Sequence, residues 1–213
     1  KTEHPEAYIY THISENKQET KWANELFQSK SYLDIYDRYH LLGDKTLLAH
    51  GVFLTAPELK KMAKTHTAVA FCPTSNLFLG SGLFNLREAE KAGVTVGLGT
   101  DVGAGTSYSL LQTLNEAYKV LGLQDQTLTA WEGFYLATLG GARAMNLEDK
   151  LGNFQPGKEA DFVVLDLKGA TPLLKRRLAV ATSLEDKLFV LMTLGDDRSV
   201  LATYVDGKKV YSQ

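Results

Sequence analysis

Val94-Thr95-Val96-Gly97-Leu98-Gly99-Thr100-Asp101 is the stretch on which the fold is read. Its apolar run is short, nearly continuous and rich in β-branched residues, the pattern of a strand buried on both faces. Such strands belong to parallel sheets covered by helices. The run leads into a Gly-rich loop, residues 100–106, whose second residue is a carboxylate. Three upstream runs share this character: residues 7–13 (AYIYTHI), Thr46–His50 (TLLAH) and Ala68–Phe71 (AVAF). Helical spacing fills the intervals. Residues 15–29 put Trp22, Ala23, Leu26 and Phe27 on one face, with Ser14 as candidate N-cap. Residues 31–41 begin with Ser31 and Asp34 at capping-box spacing and have Gly43 past their end. Thr55-Ala56-Pro57-Glu58 is a stronger helix start, with Thr as N-cap, Pro in the first turn and Glu at the box position. Residues 83–92 read as a helix stopped by Gly93, and two more helices are expected over 108–121 and 128–139. The four strand–helix repeats predict an α/β fold with a parallel sheet and right-handed crossovers.

The character changes after residues 140–151. Gly152, Pro156 and Gly157 punctuate a turn-rich stretch, followed by Phe162–Leu165, a helix-like 186–194, and strands over Val200–Val205 and 208–211. Asp206-Gly207 between the last two is a two-residue hairpin signal. The expected organisation is an α/β catalytic-type domain over 1–145 and a C-terminal segment over 146–213 that carries strands of a small β-domain.

Composition narrows the function. The 213 residues are 44% hydrophobic, enough for one good-sized core or two small domains. Twenty-five acidic against 23 basic residues leave a net charge of −2, which argues against nucleic acid as the main partner. The basic clusters Lys60–Lys61, Lys175–Arg176–Arg177 and Lys208–Lys209 are short and read as solvated faces. Cys72 is the one cysteine, so no intrachain disulfide forms, and a reducing cytoplasmic location is expected. No apolar run approaches the roughly 20 residues that span a bilayer, and no signal-peptide pattern opens the sequence, so no membrane partner is expected. The start, Lys1-Thr2-Glu3-His4-Pro5, lacks Met and reaches a strand almost at once, which reads as a cut through a longer protein.

His12 stands at the end of the first expected strand, His50 at the end of the second and Asp101 just past the fourth. In a parallel sheet these positions share the carboxyl edge, where α/β folds place their sites. Alone, either His is more often structural, and Asp101 can equally cap a loop; three at one edge form a pattern. His12 and Asp101 suit Zn²⁺ or Fe²⁺, yet a catalytic zinc usually has at least three protein ligands. His4, His40 and His66 read as structural or solvated, so further ligands are expected outside this chain. Glu15 follows His12 by three residues. It either turns a carboxylate back over the site to move protons, or is a first-turn Glu favoured by the helix dipole; spacing leaves both open.

Thr11-His12-Ile13-Ser14-Glu15-Asn16, Ala49-His50-Gly51, Phe71-Cys72-Pro73-Thr74-Ser75-Asn76 and Gly97-Leu98-Gly99-Thr100-Asp101 occur in this order. The set resembles the ends of strands five to eight of a metal-dependent amidohydrolase (β/α)8 barrel, in its deaminase/chlorohydrolase branch. Ala137-Thr138-Leu139-Gly140-Gly141-Ala142 and the stretch from Leu151 to Asp161 are similar to that family's return into its small β-domain. The loop Asp101–Ser109 and Leu194-Gly195-Asp196-Asp197-Arg198 resemble the guanine deaminases within the branch. The resemblance spans essentially the whole chain; each motif is weak and the ordered set is strong.

The resemblance implies hydrolysis of guanine to xanthine and ammonia, with one Zn²⁺ (or Fe²⁺) per site. It implies His12 as a metal ligand and Asp101 as a ligand that also takes a proton from the attacking water. Glu15 would protonate a purine ring nitrogen and help the amine leave, since an amide ion is a poor leaving group. His50 would hydrogen-bond the attacking oxygen. His12, Glu15 and Asp101 would border the substrate. Cys72 is expected to be a buried small hydrophobe, and Asn76, in a loop after the third strand, to orient nearby groups. The sequence departs from the family in having no His-x-His pair and four expected strands instead of eight. The residues that read guanine in the family, an Arg and a Gln among them, lie mostly outside the matched half. The expectation is therefore the C-terminal half of such a barrel, inactive alone. Its partners would be guanine, the N-terminal half of the same protein, and a second copy in a homodimer. Alternatives are another aminopurine, a pterin or a triazine as substrate, or a non-catalytic half-barrel whose open sheet edges pair with a partner.

Overall fold

Four short strands pair in chain order. In the computed structural model, which describes residues 3–213, β1 (Ile9–Ile13) is followed by α1 (Lys17–Leu26) and α2 (Tyr32–Arg38). Next come β2 (Thr46–His50), α3 (Ala56–Thr65), β3 (Ala68–Phe71), α4 (Pro73–Phe78), α5 (Leu86–Lys91) and β4 (Val96–Leu98). The sheet order is β1-β2-β3-β4, all parallel. Helices α6 (Leu110–Gly122), α7 (Ala130–Leu136) and α8 (Leu139–Ala144) complete this part.

Alternation along the strands gives the sheet two unlike faces. Ile13, Leu48, Val69, Phe71 and Val96 lie in one buried cluster with Leu33, Leu59, Met62, Leu86 and Leu114 from the helices. The opposite face carries a row of paired residues, His12–Ala49–Ala70–Gly97, small except for the histidine. Gly97 permits the close seating of α8: a Cβ there would lie 2.9 Å from the Gly141 Cα.

The C-terminal part has an antiparallel sheet of β5 (Phe162–Leu165), β6 (Val200–Val205) and β7 (Lys208–Ser212). Asp206 (φ 49°) and Gly207 (φ 70°) both adopt the left-handed conformation that the expected two-residue hairpin demands. Between β5 and β6 lie α9 (Pro172–Val180) and α10 (Leu184–Leu194). Helix α10 packs on α6, α7 and α9, and its Met192 joins the main core. Among the described residues no helix is long and apolar enough to cross a membrane.

Several local expectations change. Helix α1 starts at Lys17 with Asn16 as N-cap, not Ser14, which has φ 46°. Of its expected apolar face only Ala23 is buried; Trp22, Leu26 and Phe27 stay 65%, 60% and 38% exposed. The helix expected over 128–139 is the shorter α7, which ends before Thr138 (φ −130°, ψ −98°). There Gly140 sits so close to the Tyr135 carbonyl that a Cβ would come within 2.9 Å of it. Three helices, α4, α8 and α9, were absent from the sequence reading. Helix α4 begins on Pro73, and α9 is capped by Thr171 with Pro172 in its first turn. Lys175, Arg176 and Arg177 lie exposed on α9, while Leu174 and Leu178 face inward.

The start signal at Thr55 does more than cap one helix. Glu58 is buried, and its Oε2 accepts from the Thr55 backbone N–H (2.8 Å) and hydroxyl (2.7 Å). Its Oε1 accepts from the Ser31 hydroxyl (2.7 Å) and from the Leu33 N–H (3.4 Å) at the start of α2. One carboxylate thus joins the first turns of α2 and α3. Glu58→Ala is expected to lower the unfolding free energy by about 2–4 kcal/mol, as both helix starts lose their acceptor. Glu58→Gln should lose less, and urea denaturation of the native protein reads both.

Candidate functional site

Three strand-exit segments carry non-glycine residues in the left-handed region: Ser14 (φ 46°) after β1, His50 (φ 72°) ending β2, and Asp101 (φ 47°) beyond β4. Each such conformation costs of the order of 1–3 kcal/mol and persists where surrounding bonds impose it. The backbone supplies those bonds. Gly51 N–H donates to the Ile13 carbonyl (2.9 Å), Phe53 N–H to that of Ser14 (3.0 Å), and Gly99 N–H to that of Phe71 (2.9 Å). The Asp101 carbonyl accepts from the Gly105 N–H. The turn at His50 has a chemical result. By register His50 pairs with Ile13, whose side chain lies in the core; instead its ring stacks on His12, with centroids 5.4 Å apart and planes 13° from parallel.

His50 is 1% exposed. Its Nδ1 donates to Asn76 Oδ1 (2.8 Å), which turns Nε2 toward two carboxylates: Glu15 Oε2 at 3.8 Å and Asp101 Oδ2 at 3.9 Å. Asn76 has the orienting position expected of it, but from within α4 rather than a loop. Glu15 lies outside the first turn of α1; the acid in that turn is Glu19, whose Oε2 accepts from the Glu15 N–H (2.9 Å). The carboxylate of Glu15 is thereby free of the helix-dipole role and faces the site, with its Oε1 accepting from Ser81 Oγ (2.9 Å). A cleft of about 570 Å³ opens beside it, bordered by Phe53, Leu79 and Ser81. The His12 carbonyl accepts from Tyr36 Oη (2.6 Å), which fixes the end of β1, and its ring is exposed. His4 pairs with Glu6 at the surface, His40 follows α2 and His66 caps α3; none joins the cluster.

Cys72 is buried, and burial together with the negative charge of Asp101 pushes its thiol up to about 12. Its Sγ donates weakly to the Ala70 carbonyl (3.4 Å). A thiol so held is neutral across the physiological range and is no nucleophile.

His12 and Asp101 offer one imidazole and one carboxylate, donor types that ligate Zn²⁺ or Fe²⁺. Among the described residues no group of three or more His, Cys, Asp or Glu is gathered to hold a metal ion, so these two fit part of a metal site. Buried polar atoms without hydrogen-bond partners lie on the same exits: Ser14 Oγ, Thr74 Oγ1 and Asn76 Nδ2. Ser81 was not legible as a site residue; a serine between two glycines carries no signal of its own.

The parallel α/β sheet thus collects two imidazoles and two carboxylates at its carboxyl edge. The chain belongs to the amidohydrolase family, whose model matches residues 2–210. Guanine deaminase of Escherichia coli K12 is 55% identical over 214 residues, covering 100% of this chain and 48% of that protein. A solved structure of E. coli guanine deaminase superposes with a TM-score of 0.97 at 54% identity, covering 100% of this chain and 50% of that one. An adenosine deaminase from Xanthomonas campestris with bound zinc has a TM-score of 0.86 at 26% identity, covering 100% and 47%. The chain spans about half the length of the curated relatives it matches.

Two measurements check this geometry. In the native protein Cys72 should resist an aromatic disulfide reagent at pH 8 and react only after denaturation. Asn76→Ala should cost roughly 1–3 kcal/mol in denaturant unfolding, because the buried His50 Nδ1–H loses its acceptor.

Proposed function

We propose that this chain carries the acid–base part of a guanine deaminase site, which hydrolyses guanine to xanthine and ammonia. The observation that carries the reading is the convergence of Glu15 Oε2 and Asp101 Oδ2 on the buried His50 Nε2. The guanine deaminase names of its relatives supply the substrate. In this reading β1–β4 are the fifth to eighth strands of a (β/α)8 barrel. Residues 1–145 form the barrel half, 146–213 carry the small β-domain strands, and the N-terminal half completes both in the cytoplasm.

His12 and Asp101 would hold a Zn²⁺ ion with ligands from outside these residues, and the ion when bound supplies a water whose pKa is lowered toward 7. Asp101 Oδ2 accepts a proton from the attacking water. His50, carrying a proton on Nε2 as well as on the Nδ1 aimed by Asn76, would donate its Nε2–H to the attacking oxygen as charge develops on it. Glu15 Oε2 delivers a proton to a ring nitrogen of the purine, which prepares the amine-bearing carbon for attack. The deprotonated Glu15 then takes the proton of the new hydroxyl as its C=O forms and passes it to the amine, whose C–N bond breaks and which leaves as ammonia; the proton held by Asp101 returns to Glu15 for the next turnover.

In the complete protein, Glu15→Gln should lower guanine turnover by about 10²–10⁴-fold while the bound metal, measured by elemental analysis, is unchanged. Surviving turnover would remove Glu15 from its role. The 213-residue chain alone with Zn²⁺ should turn over guanine negligibly. Comparing guanine with adenine, pterins and triazines on the complete protein tests the substrate.

A further inference from the structure

The two oxygens of Glu15 have different surroundings. Oε2 faces His50 Nε2 at 3.8 Å, whereas Oε1 accepts from Ser81 Oγ at 2.9 Å, a contact between residues 66 apart in the chain. Ser81 is 8% exposed and sits in a built turn. Gly80 (φ 68°) and Gly82 (φ 138°) flank it, and the Ser81 N–H donates to the Asn76 carbonyl (2.8 Å). A Cβ at Gly82 would come within 2.9 Å of Val52 Cγ1, so this turn presses against the exit loop of β2. The segment leaving α4 therefore holds both reactive side chains: Asn76 fixes the ring of His50, and five residues later Ser81 fixes the carboxyl group of Glu15.

We propose that Ser81 is a positioning residue for the proposed deamination, setting which oxygen of Glu15 carries the transferable proton. The inference rests on the reading of Glu15 as the acid. With the Ser81 O–H donated to Oε1, that oxygen is committed as an acceptor, and a protonated Glu15 places its O–H on Oε2, toward the site. Transfer breaks the Oε2–H bond and forms an N–H bond on the purine. The carboxylate that remains keeps the hydrogen bond from Ser81, and the Ser81 proton does not move. Without the hydroxyl the carboxyl group can rotate about its last torsion and the proton is shared between two orientations, one unproductive.

The test uses the complete metal-loaded protein and guanine. Ser81→Ala should lower kcat about 10- to 50-fold with KM within about 2-fold of the parent, and with melting temperature and metal content unchanged. Ser81→Thr, which keeps the hydroxyl, should return kcat to within about 3-fold of the parent. A kcat for Ser81→Ala within about 2-fold of the parent overturns the proposal, as does a loss that follows a fall in melting temperature or metal, or one that Thr does not restore. Should the Ala variant not fold, Ser81→Cys, similar in shape and a weak donor, carries the same comparison. Glu15→Gln, assayed alongside, separates the two failures. If it retains turnover, the acid reading falls and takes this inference with it; if it is inactive while Ser81→Ala is unimpaired, only the role of Ser81 falls.

Discussion

Parallel pairing is the constraint from which the rest follows. Strands β1 to β4 run the same way in chain order, so no tight turn can join them and each connection must cross back through helix. The crossovers cover one sheet face, and the apolar side chains of Ile13, Leu48, Val69, Phe71 and Val96 answer them. The same constraint brings every strand's carboxyl end to one edge. It brings His12, His50 and Asp101 to one edge although 89 positions separate the first from the last, and the left-handed turn at His50 then lays its ring on His12. The opposite face is lined next to His12 by the small residues Ala49, Ala70 and Gly97, the last of them seated against α8.

Strain at that edge has a consistent address. Ser14, His50 and Asp101 hold left-handed backbone, and the hydrogen bonds from Gly51 and Phe53 to Ile13 and Ser14 extend sheet-like stitching past the ends of β1 and β2. These bonds make the turns rigid enough to present a histidine ring against the direction its strand position assigns. A flexible loop could reach the same geometry but would not keep it, and proton transfer is sensitive to misplacement of a fraction of an ångström. The stability spent on these turns is recovered in the helix layer, where Glu58 joins two helix starts and Phe71 packs on Phe84 with centroids 5.1 Å apart.

Much of this was legible in the sequence because short apolar runs bounded by turn residues mark strands, whether mostly buried, as at Ala68–Phe71, or half exposed, as at Phe162–Leu165. Contiguous apolar runs mark Thr46–His50, Ala68–Phe71, Phe162–Leu165 and Val200–Val205 with the bounds the structure gives them. Caps at Ser31 and Thr55 mark helix starts for the same local reason. What failed depends on contacts distant in sequence. Ser14 looked like an N-cap, but its backbone serves the β2 exit loop, and α1 starts later. The helix read as far as residue 139 stops before Thr138, where Gly140 approaches Tyr135, and α8 starts where the sequence suggested a boundary. The apolar stripe Trp22–Leu26–Phe27 is real as a pattern, yet the described residues do not cover it. Position along strands put His12, His50 and Asp101 at one edge, whereas spacing left Glu15 open and only the family resemblance gave it a role. Ser81 could not be found either way, since only the fold brings it to Glu15.

Charge explains why this edge needs further groups to work. Two carboxylates lie within 4 Å of one imidazole nitrogen, and no lysine or arginine forms an ion pair with either among the described residues. Carboxylates brought together out of bulk water repel and favour a cation between or beside them. His12 offers a ligand nitrogen without adding negative charge. Under the proposed reading, a divalent ion at His12 and Asp101 would offset the carboxylate of Asp101 and leave Glu15 as the group that exchanges a proton with substrate. The Ser81 hydroxyl meets the Glu15 oxygen turned away from His50, so the two carboxylates differ in neighbours as they would have to differ in task. Under the proposed reading Asp101 would hold the ion and take the proton of the water, Glu15 would exchange one with the substrate, and each follows a different strand end.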